Sequence, residues 1–182
     1  MSWTAHVVTV QPANLPLTAE DLRNHCRADE DGGEDDQLMD NQTDAVSVIE
    51  GETGSRLLTQ TVQMTRRSLD HCMPLLVGPV QSVSLTYLDQ TGQQQPLDPA
   101  LYALVGAGSL HSEIHLIPGQ HWPAIMRHPA AITCTAVVGY GADAASLPGS
   151  IKRVIRLLVG DYYAIAMAAY RVSLAARACR AG

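Results

Sequence analysis

The sequence contains no phenylalanine, a single lysine (Lys152), two tryptophans and four cysteines among 182 residues. With aromatics at only 4% and apolar residues at 46%, a core has to be built from Leu, Ile, Val and Ala. A chain of this length buries such a core as one domain, or one domain with an insert, without covalent staples. Cys26, Cys72, Cys134 and Cys179 are widely dispersed and form no C-x-x-C pair. That spacing points to reduced, buried cysteines in a chain made and assembled inside a cell. No basic segment followed by an apolar run opens the sequence, so no signal peptide is expected. The one long apolar stretch, residues 151–169, carries Lys152, Arg153, Arg156 and Asp161, which rules it out as a membrane span. Duplex affinity comes mainly from phosphate neutralisation, so a formal net charge of −6 with one Lys argues against direct nucleic-acid binding.

Catalytic signatures are missing too. Gly106-Ala107-Gly108 lacks the third glycine and the strand-to-helix setting of a nucleotide loop, and neither a G-x-S-x-G elbow nor a G-x-x-x-x-G-K-[ST] loop occurs. His111 and His115 have the i, i+4 spacing that suits a metal on a helix. Their stretch reads as a strand, where the two would stand about 13 Å apart on one face, too far for one ion. His121 and His128 flank Trp122-Pro123 and Pro129 in a loop, where packing or exposure accounts for them. The acids of 29–36 resemble a calcium loop in composition only, because the spacing does not continue to a terminal Glu. Asn41-Gln42-Thr43 matches a glycosylation triplet but falls within a helix. No catalytic residue, no metal ligand and no cofactor is assigned, and the chain reads as non-enzymatic.

What is present is organised around its last stretch. From Leu147-Pro148-Gly149-Ser150, with Ser150 as candidate cap, the residues Ile151, Val154, Ile155, Leu158, Tyr162, Ile165 and Ala169 recur at three- and four-residue steps, the mark of one apolar helical stripe. About 28 residues at about 1.5 Å each make a rod of roughly 42 Å, long enough to leave the domain that anchors its start. Upstream, Leu17-Thr18-Ala19-Glu20-Asp21 is a capped helix start with Thr18 at the cap. A second helix places Leu38, Gln42, Ala45 and Ile49 on one face and Asp36, Asp40 and Asp44 on the outer one. Like charges at that step weaken a helix slightly, so the ridge is tolerated or useful; a plain solvated face is the bland reading.

From Leu57 the period becomes two. Residues 58–65, 83–87, 113–116 and 131–138 alternate as strands, separated by turns at Gly78-Pro79, 89–92, Pro118-Gly119 and 139–141. One helical turn is expected at 98–102. The result is an α+β chain: an N-terminal arm at 1–16, then a connector domain over 17–166. Its helices span 17–28, 34–54 and 150–166, with an antiparallel insert of four to six strands at 57–141, and a C-terminal extension fills 167–182. The arm is left open between an ordered segment on a neighbouring copy and a disordered leader.

Charge is polarised along the chain. Between Glu20 and Glu52 twelve acids stand against Arg23 and Arg27, whereas from Pro148 onward Lys152, Arg153, Arg156, Arg171, Arg177 and Arg180 stand against Asp161. Opposite poles can set orientation between copies, with Lys152, Arg153 and Arg156 as the basic inter-subunit candidates; in a single copy they can simply face each other.

Taken in order, several stretches resemble the head–tail connector (adaptor) proteins of tailed bacteriophages, prophages and gene transfer agents. They are Leu15-Pro16-Leu17-Thr18 leading into 21–27, Asp35-Asp36-Gln37-Leu38, residues 49–61 (IEGETGSRLLTQT), Pro79-Val80-Gln81-Ser82-Val83, Tyr87-Leu88-Asp89-Gln90-Thr91-Gly92, Leu97-Asp98-Pro99-Ala100-Leu101-Tyr102, Val138-Gly139-Tyr140-Gly141 and Leu147-Pro148-Gly149-Ser150-Ile151-Lys152. The likeness runs over residues 15–165 and rests on turns rather than chemistry. The chain departs from the family pattern in its alanine-rich end past Ala166 and in His25-Cys26 of the first helix.

The resemblance implies a mostly helical fold with a β insertion. It also implies a homo-oligomeric ring of twelve copies that docks on the portal protein after DNA packaging and extends the channel to a stopper or tail-completion protein. It implies a C-terminal segment that grips the portal, for which Arg171, Arg177 and Arg180 are the candidates. Asp36, Asp40 and Asp44 become inter-subunit or channel residues, with the ring exterior as the alternative. Twelve copies at −6 carry about −72, and a like-charged wall lets DNA slide without sequence-specific binding. The expected location is the virion neck, with host cytoplasm during assembly and no membrane. The alternatives are a stopper or tail-completion neck protein, against which the long terminal helix argues, and a small cytosolic metal-dependent hydrolase.

Overall fold

Ile132-Thr133-Cys134-Thr135-Ala136-Val137-Val138 buries every second residue, and the β-branched positions between them suit a pleated surface. In the computed structural model, which describes residues 3–28 and 33–180, with side chains through residue 169, this segment is the central strand of the larger sheet. In chain order the elements are β1 (Val7–Val10), α1 (Ala19–Cys26), α2 (Asp35–Thr53), β2 (Gln60–Arg66), β3 (Cys72–Leu75), β4 (Val80–Leu88), β5 (Gln94–Pro96), β6 (Tyr102–Val105), β7 (Ser112–Leu116), β8 (Ile132–Val138) and α3 (Gly149–Arg180). Short 3₁₀ turns occur at Pro99–Leu101 and Ala144–Ser146. The architecture is α+β, as the sequence indicates.

Two compact units divide the chain: Met1–Asn14 with Thr53–Ser146, and Leu15–Glu52 with Leu147–Gly182. The first holds both sheets. Antiparallel pairing runs β1-β2-β8-β4-β5 in one and β3-β7-β6 in the other. Across the larger sheet Cys134 stands opposite Met64 on one side and Leu85 on the other. Val62, Met64, Leu85 and Ile132 from this sheet share one buried cluster with Met73, Leu75 and Ile114 from the smaller one. Each such side chain contributes about 1.5–3 kcal/mol on burial, and no Phe is needed. Burial also pushes the Cys134 thiol up to about 12, so this cysteine is the inert, buried kind that the dispersed spacing suggested, whereas Cys26 is only half-buried and Cys72 is exposed, contrary to that expectation.

More strands are present than the sequence revealed. Residues 1–16 supply β1, paired through Val8 with Val62. Ahead of it, the Thr4 N–H donates to the Thr65 carbonyl at 2.9 Å, and Trp3 is buried with the Arg66 guanidinium 5.6 Å from its ring centroid. The segment is therefore a strand of its own chain, bound by a pairing too distant in sequence for local periodicity to show. β3 carries Pro74, which is tolerated because β3 lies at the edge of its sheet. The Asp89 carboxylate closes the β4–β5 turn, accepting from the Thr91 hydroxyl and from the backbone N–H groups of Thr91 and Gln93. The Thr91 hydroxyl bond leads in lowering its pKa to about 2. The folded-state value is depressed, so this contribution is present above pH 4 or so and is lost as pH falls through about 2.

In the second unit Thr18 caps α1 with a capping box. Its Oγ1 accepts from Asp21 N–H at 3.1 Å, and an Asp21 oxygen accepts from Thr18 N–H at 3.4 Å. Leu38, Gln42 and Ala45 form the buried face of α2. Gln42 is fully buried and clamps the chain ahead of α1, accepting from Leu17 N–H at 2.7 Å and donating to Leu17 O at 3.1 Å. α3 packs against α1. Pro148 O accepts from Ile151 and Lys152 N–H, so the helix begins at Gly149 and Ser150 lies in its first turn rather than at the cap. Ile155 and Val159 are fully buried, while Val154 and Ile165, which the apolar stripe would have placed inside, are 44% and 68% exposed. Apolar residues at 151, 154, 155, 157, 158 and 159 cover more than one stripe of early α3, so the 3.6-residue period alone does not decide which of them faces α1.

Candidate assembly surfaces

The acidic ridge is a real surface. Asp36, Asp40 and Asp44 are all exposed, one turn apart on the side of α2 away from Leu38, Gln42 and Ala45. The first-turn acids Asp35 and Asp36 favour the helix N-terminus. Asp35 is held by Arg23, whose guanidinium lies 2.6 Å from its carboxylate.

The basic candidates at the start of α3 separate. Arg153 is exposed and Lys152 half-buried, whereas Arg156 lies 3.7 Å from Asp21 of its own chain. Part of the charge polarity seen in the sequence is thus satisfied within one copy. An exposed pair of this kind is worth under about 1 kcal/mol. Beside these bases α3 presents Val154, Leu157 and Ile165 to solvent, at 44%, 52% and 68% exposure. Apolar side chains next to cations make a patch suited to an interface rim and core. The portal-contact candidates Arg171, Arg177 and Arg180 lie on the helical backbone of α3, but their side chains fall outside the described residues.

A cleft of about 580 Å³ lies in the helical unit, lined by His25, Cys26, Arg27, Glu34 and, from α3, Gly160, Tyr163 and Met167. The Tyr163 hydroxyl donates to the Glu34 carboxylate. A nucleophile, its base and an orienting group do not converge on one point there. The histidines weighed for a metal are scattered: His111 precedes β7, His121 and His128 are exposed, and His128 Nδ1 accepts from Ala130 N–H at 3.1 Å. Among the described residues, only His115 of these four has metal-ligating neighbours. They are Cys72 and Glu113, brought to it by the β3–β7 register, which pairs Cys72 with His115. Neither of those two residues carries a motif in the sequence; a non-local strand pairing is the signal that joins them. No described helix is long and apolar enough to cross a membrane.

No protein-family model matches the chain, and no curated relative does. Solved structures do. One is described as the neck of an empty gene transfer agent (GTA) particle computed with C6 symmetry. Its chain aligns with TM-score 0.75 and 22% identity, over 88% of this chain and 84% of that one. A chain from the virion of a native GTA particle aligns with TM-score 0.73 and 22% identity, over 88% and 84%. A third, from the neck of a native GTA particle computed with C12 symmetry, gives 0.66 and 21%, over 85% and 82%. The strands hidden from the sequence, the two-sheet core and the terminal helix together make the fold of a chain found in the neck of gene transfer agent particles.

Proposed function

We propose that this protein is a structural subunit of a particle neck, a head–tail adaptor that closes into a ring on the portal and continues the DNA channel toward the tail. The observation that carries the reading is the fold match over 88% of the chain to a chain from a GTA neck. A ring requires two different, complementary flanks whose repeated rotation closes. The exposed Val154, Leu157, Ile165 and Arg153 of α3 supply one flank with both an apolar core and a charge. The acidic ridge of α2 is the complementary candidate. Where the ridge instead lines the lumen, its carboxylates repel phosphates and keep DNA moving. The subunit acts by shape and charge and carries out no reaction.

At 32 residues α3 is a rod of about 48 Å, which suits a C-terminal segment that reaches the portal. Arginine is the residue of choice for desolvated contacts with carboxylates, so Arg171, Arg177 and Arg180 are assigned to that contact. Truncation after residue 166 is expected to leave a folded protein by circular dichroism that no longer binds the portal. The full chain with the three arginines changed to Glu is expected to fail in the same pull-down. Undiminished portal capture by both variants would remove the role assigned to the tail.

A further inference from the structure

The smaller sheet gathers three side chains of metal-ligating type, Cys72, Glu113 and His115, on its outer face. In β3, Met73 and Leu75 point into the core and Cys72 and Pro74 point out; in β7, Ser112 and Ile114 are buried, and Glu113 and His115 lie on the opposite face. Antiparallel register sets Cys72 directly across from His115, with Glu113 two residues away on the same face. Cys72 Sγ–H donates to Glu113 Oε2 at 3.4 Å, and that oxygen lies 2.7 Å from His115 Nε2. The sulfur, the carboxylate oxygen and the imidazole nitrogen all lie within 4.8 Å of one another. On the other side of β7 the register neighbours are small: Ala103 stands opposite His115 and Val105 opposite Glu113.

A thiol, an imidazole and a carboxylate are the three ligand types that zinc takes. Zinc bonds of about 2.3 Å to sulfur and about 2.0–2.1 Å to nitrogen and oxygen, set tetrahedrally, require about 3.5 Å between S and O and about 3.3 Å between O and N. The first spacing is already met at 3.4 Å. The second requires the short Glu113–His115 contact to open by roughly half an ångström, within reach of side-chain rotation on an exposed surface. Soft thiolate with imidazole favours zinc over magnesium or calcium, which take oxygen ligands. Without metal the cluster is a hydrogen-bonded triad. Desolvation, followed by the Glu113 hydrogen bond, raises the Cys72 pKa, and bonds from His115 and then Cys72 lower that of Glu113. The thiol is therefore protonated when free.

We propose that Cys72, Glu113 and His115 form a surface zinc site, one Zn²⁺ per chain, with water in the fourth position. On binding, the Cys72 thiol loses its proton to solvent and the thiolate takes the metal. Glu113 binds as the carboxylate it already is. His115 binds through Nε2 as neutral imidazole: the Nε2 proton that faces Glu113 in the free triad passes to solvent, and the ring keeps one proton on Nδ1. The site is independent of the C-terminal rod and the acidic ridge, so it stands or falls apart from the adaptor reading.

The test uses the full chain, stripped with chelator and titrated with Zn²⁺ in a calorimeter, then with Co²⁺ as a spectroscopic probe. One zinc per chain is expected, together with a thiolate-to-cobalt charge-transfer band. C72S and H115A should each weaken zinc binding by more than the roughly 10- to 100-fold cost of losing an outer-shell partner. C72S should abolish the band, whereas C26S and C179S should keep it. C72S and H115A should retain the wild-type melting temperature in chelator, since Cys72 and His115 lie on an outer face. The proposal is overturned by no zinc uptake, by equal uptake in wild type, C72S and H115A, or by a cobalt band that survives C72S.

Discussion

Gly139→Ala is expected to destabilise the sheet unit by about 4 kcal/mol, seen as a fall of about 10 °C in melting temperature. Gly139 follows β8 with φ +120°, and a Cβ built there would lie 2.4 Å from Leu58 O and 2.5 Å from Leu58 C. Those are backbone atoms of a fully packed turn, so the clash cannot be relieved by rotating a side chain. Left-handed backbone of this kind costs a non-glycine residue about 1–3 kcal/mol before any clash is counted. The same turn holds several bonds in register. Gly139 N–H donates to Pro79 O at 2.8 Å, Gln81 Nε2 donates to Gly139 O at 2.8 Å, Tyr140 N–H donates to Leu57 O at 3.1 Å, and Thr59 N–H donates to Gly141 O at 2.8 Å. Displacing the backbone to admit the methyl disturbs all of them. Gly51→Ala is the matched control: nothing lies within 4 Å of its Cβ position, and it sits in α2. That change should stabilise by up to about 1 kcal/mol. Equal melting temperatures for the two variants would contradict the account of this turn.

Gln42→Leu is the second large effect, at about 3 kcal/mol. The volume is nearly kept and the side chain becomes more apolar, which on hydrophobic grounds alone would favour the variant. What decides the sign is Leu17. Its N–H and C=O both bond to the Gln42 amide, at 2.7 and 3.1 Å, and Leu17 itself is only 3% exposed. Leucine would leave a buried donor and a buried acceptor without partners, each costing about 1–3 kcal/mol. Chemical denaturation should report the loss as a lower midpoint with an unchanged slope. A variant as stable as the wild type would mean that water reaches Leu17 and that the clamp does not hold the chain ahead of α1.

How much of this was legible depended on where the deciding contact lay. The Thr18 capping box is local, confined to the four residues Thr18 to Asp21, and readable directly. β8 and β2 were readable because Ile132, Cys134, Ala136 and Val138, and equally Val62 and Met64, alternate with polar or β-branched residues. The buried face of α2, Gln42 included, followed from its spacing. β1, β3, β5 and β6 are short, at three or four residues, and two of them contain Pro, so they exist only through partners far away in sequence. The same holds for the cluster at His115. The sequence compared histidines with histidines and judged them too far apart, while the partners that matter arrive from β3 and from two residues upstream on β7. α3 illustrates the opposite problem: an excess of apolar positions left the inward face undetermined until α1 was in place. The acidic ridge was visible throughout, because Asp36, Asp40 and Asp44 need nothing but helical geometry to line up.

The central claim is that this chain works as one wedge in a closed circle around a DNA channel. Electron cryo-microscopy of the neck of a particle assembled with it tests that claim most directly. The account predicts a ring of about twelve copies on the particle axis, each presenting the C-terminal end of α3 to the portal. A single copy in the neck, or copies attached away from the DNA exit, would contradict it.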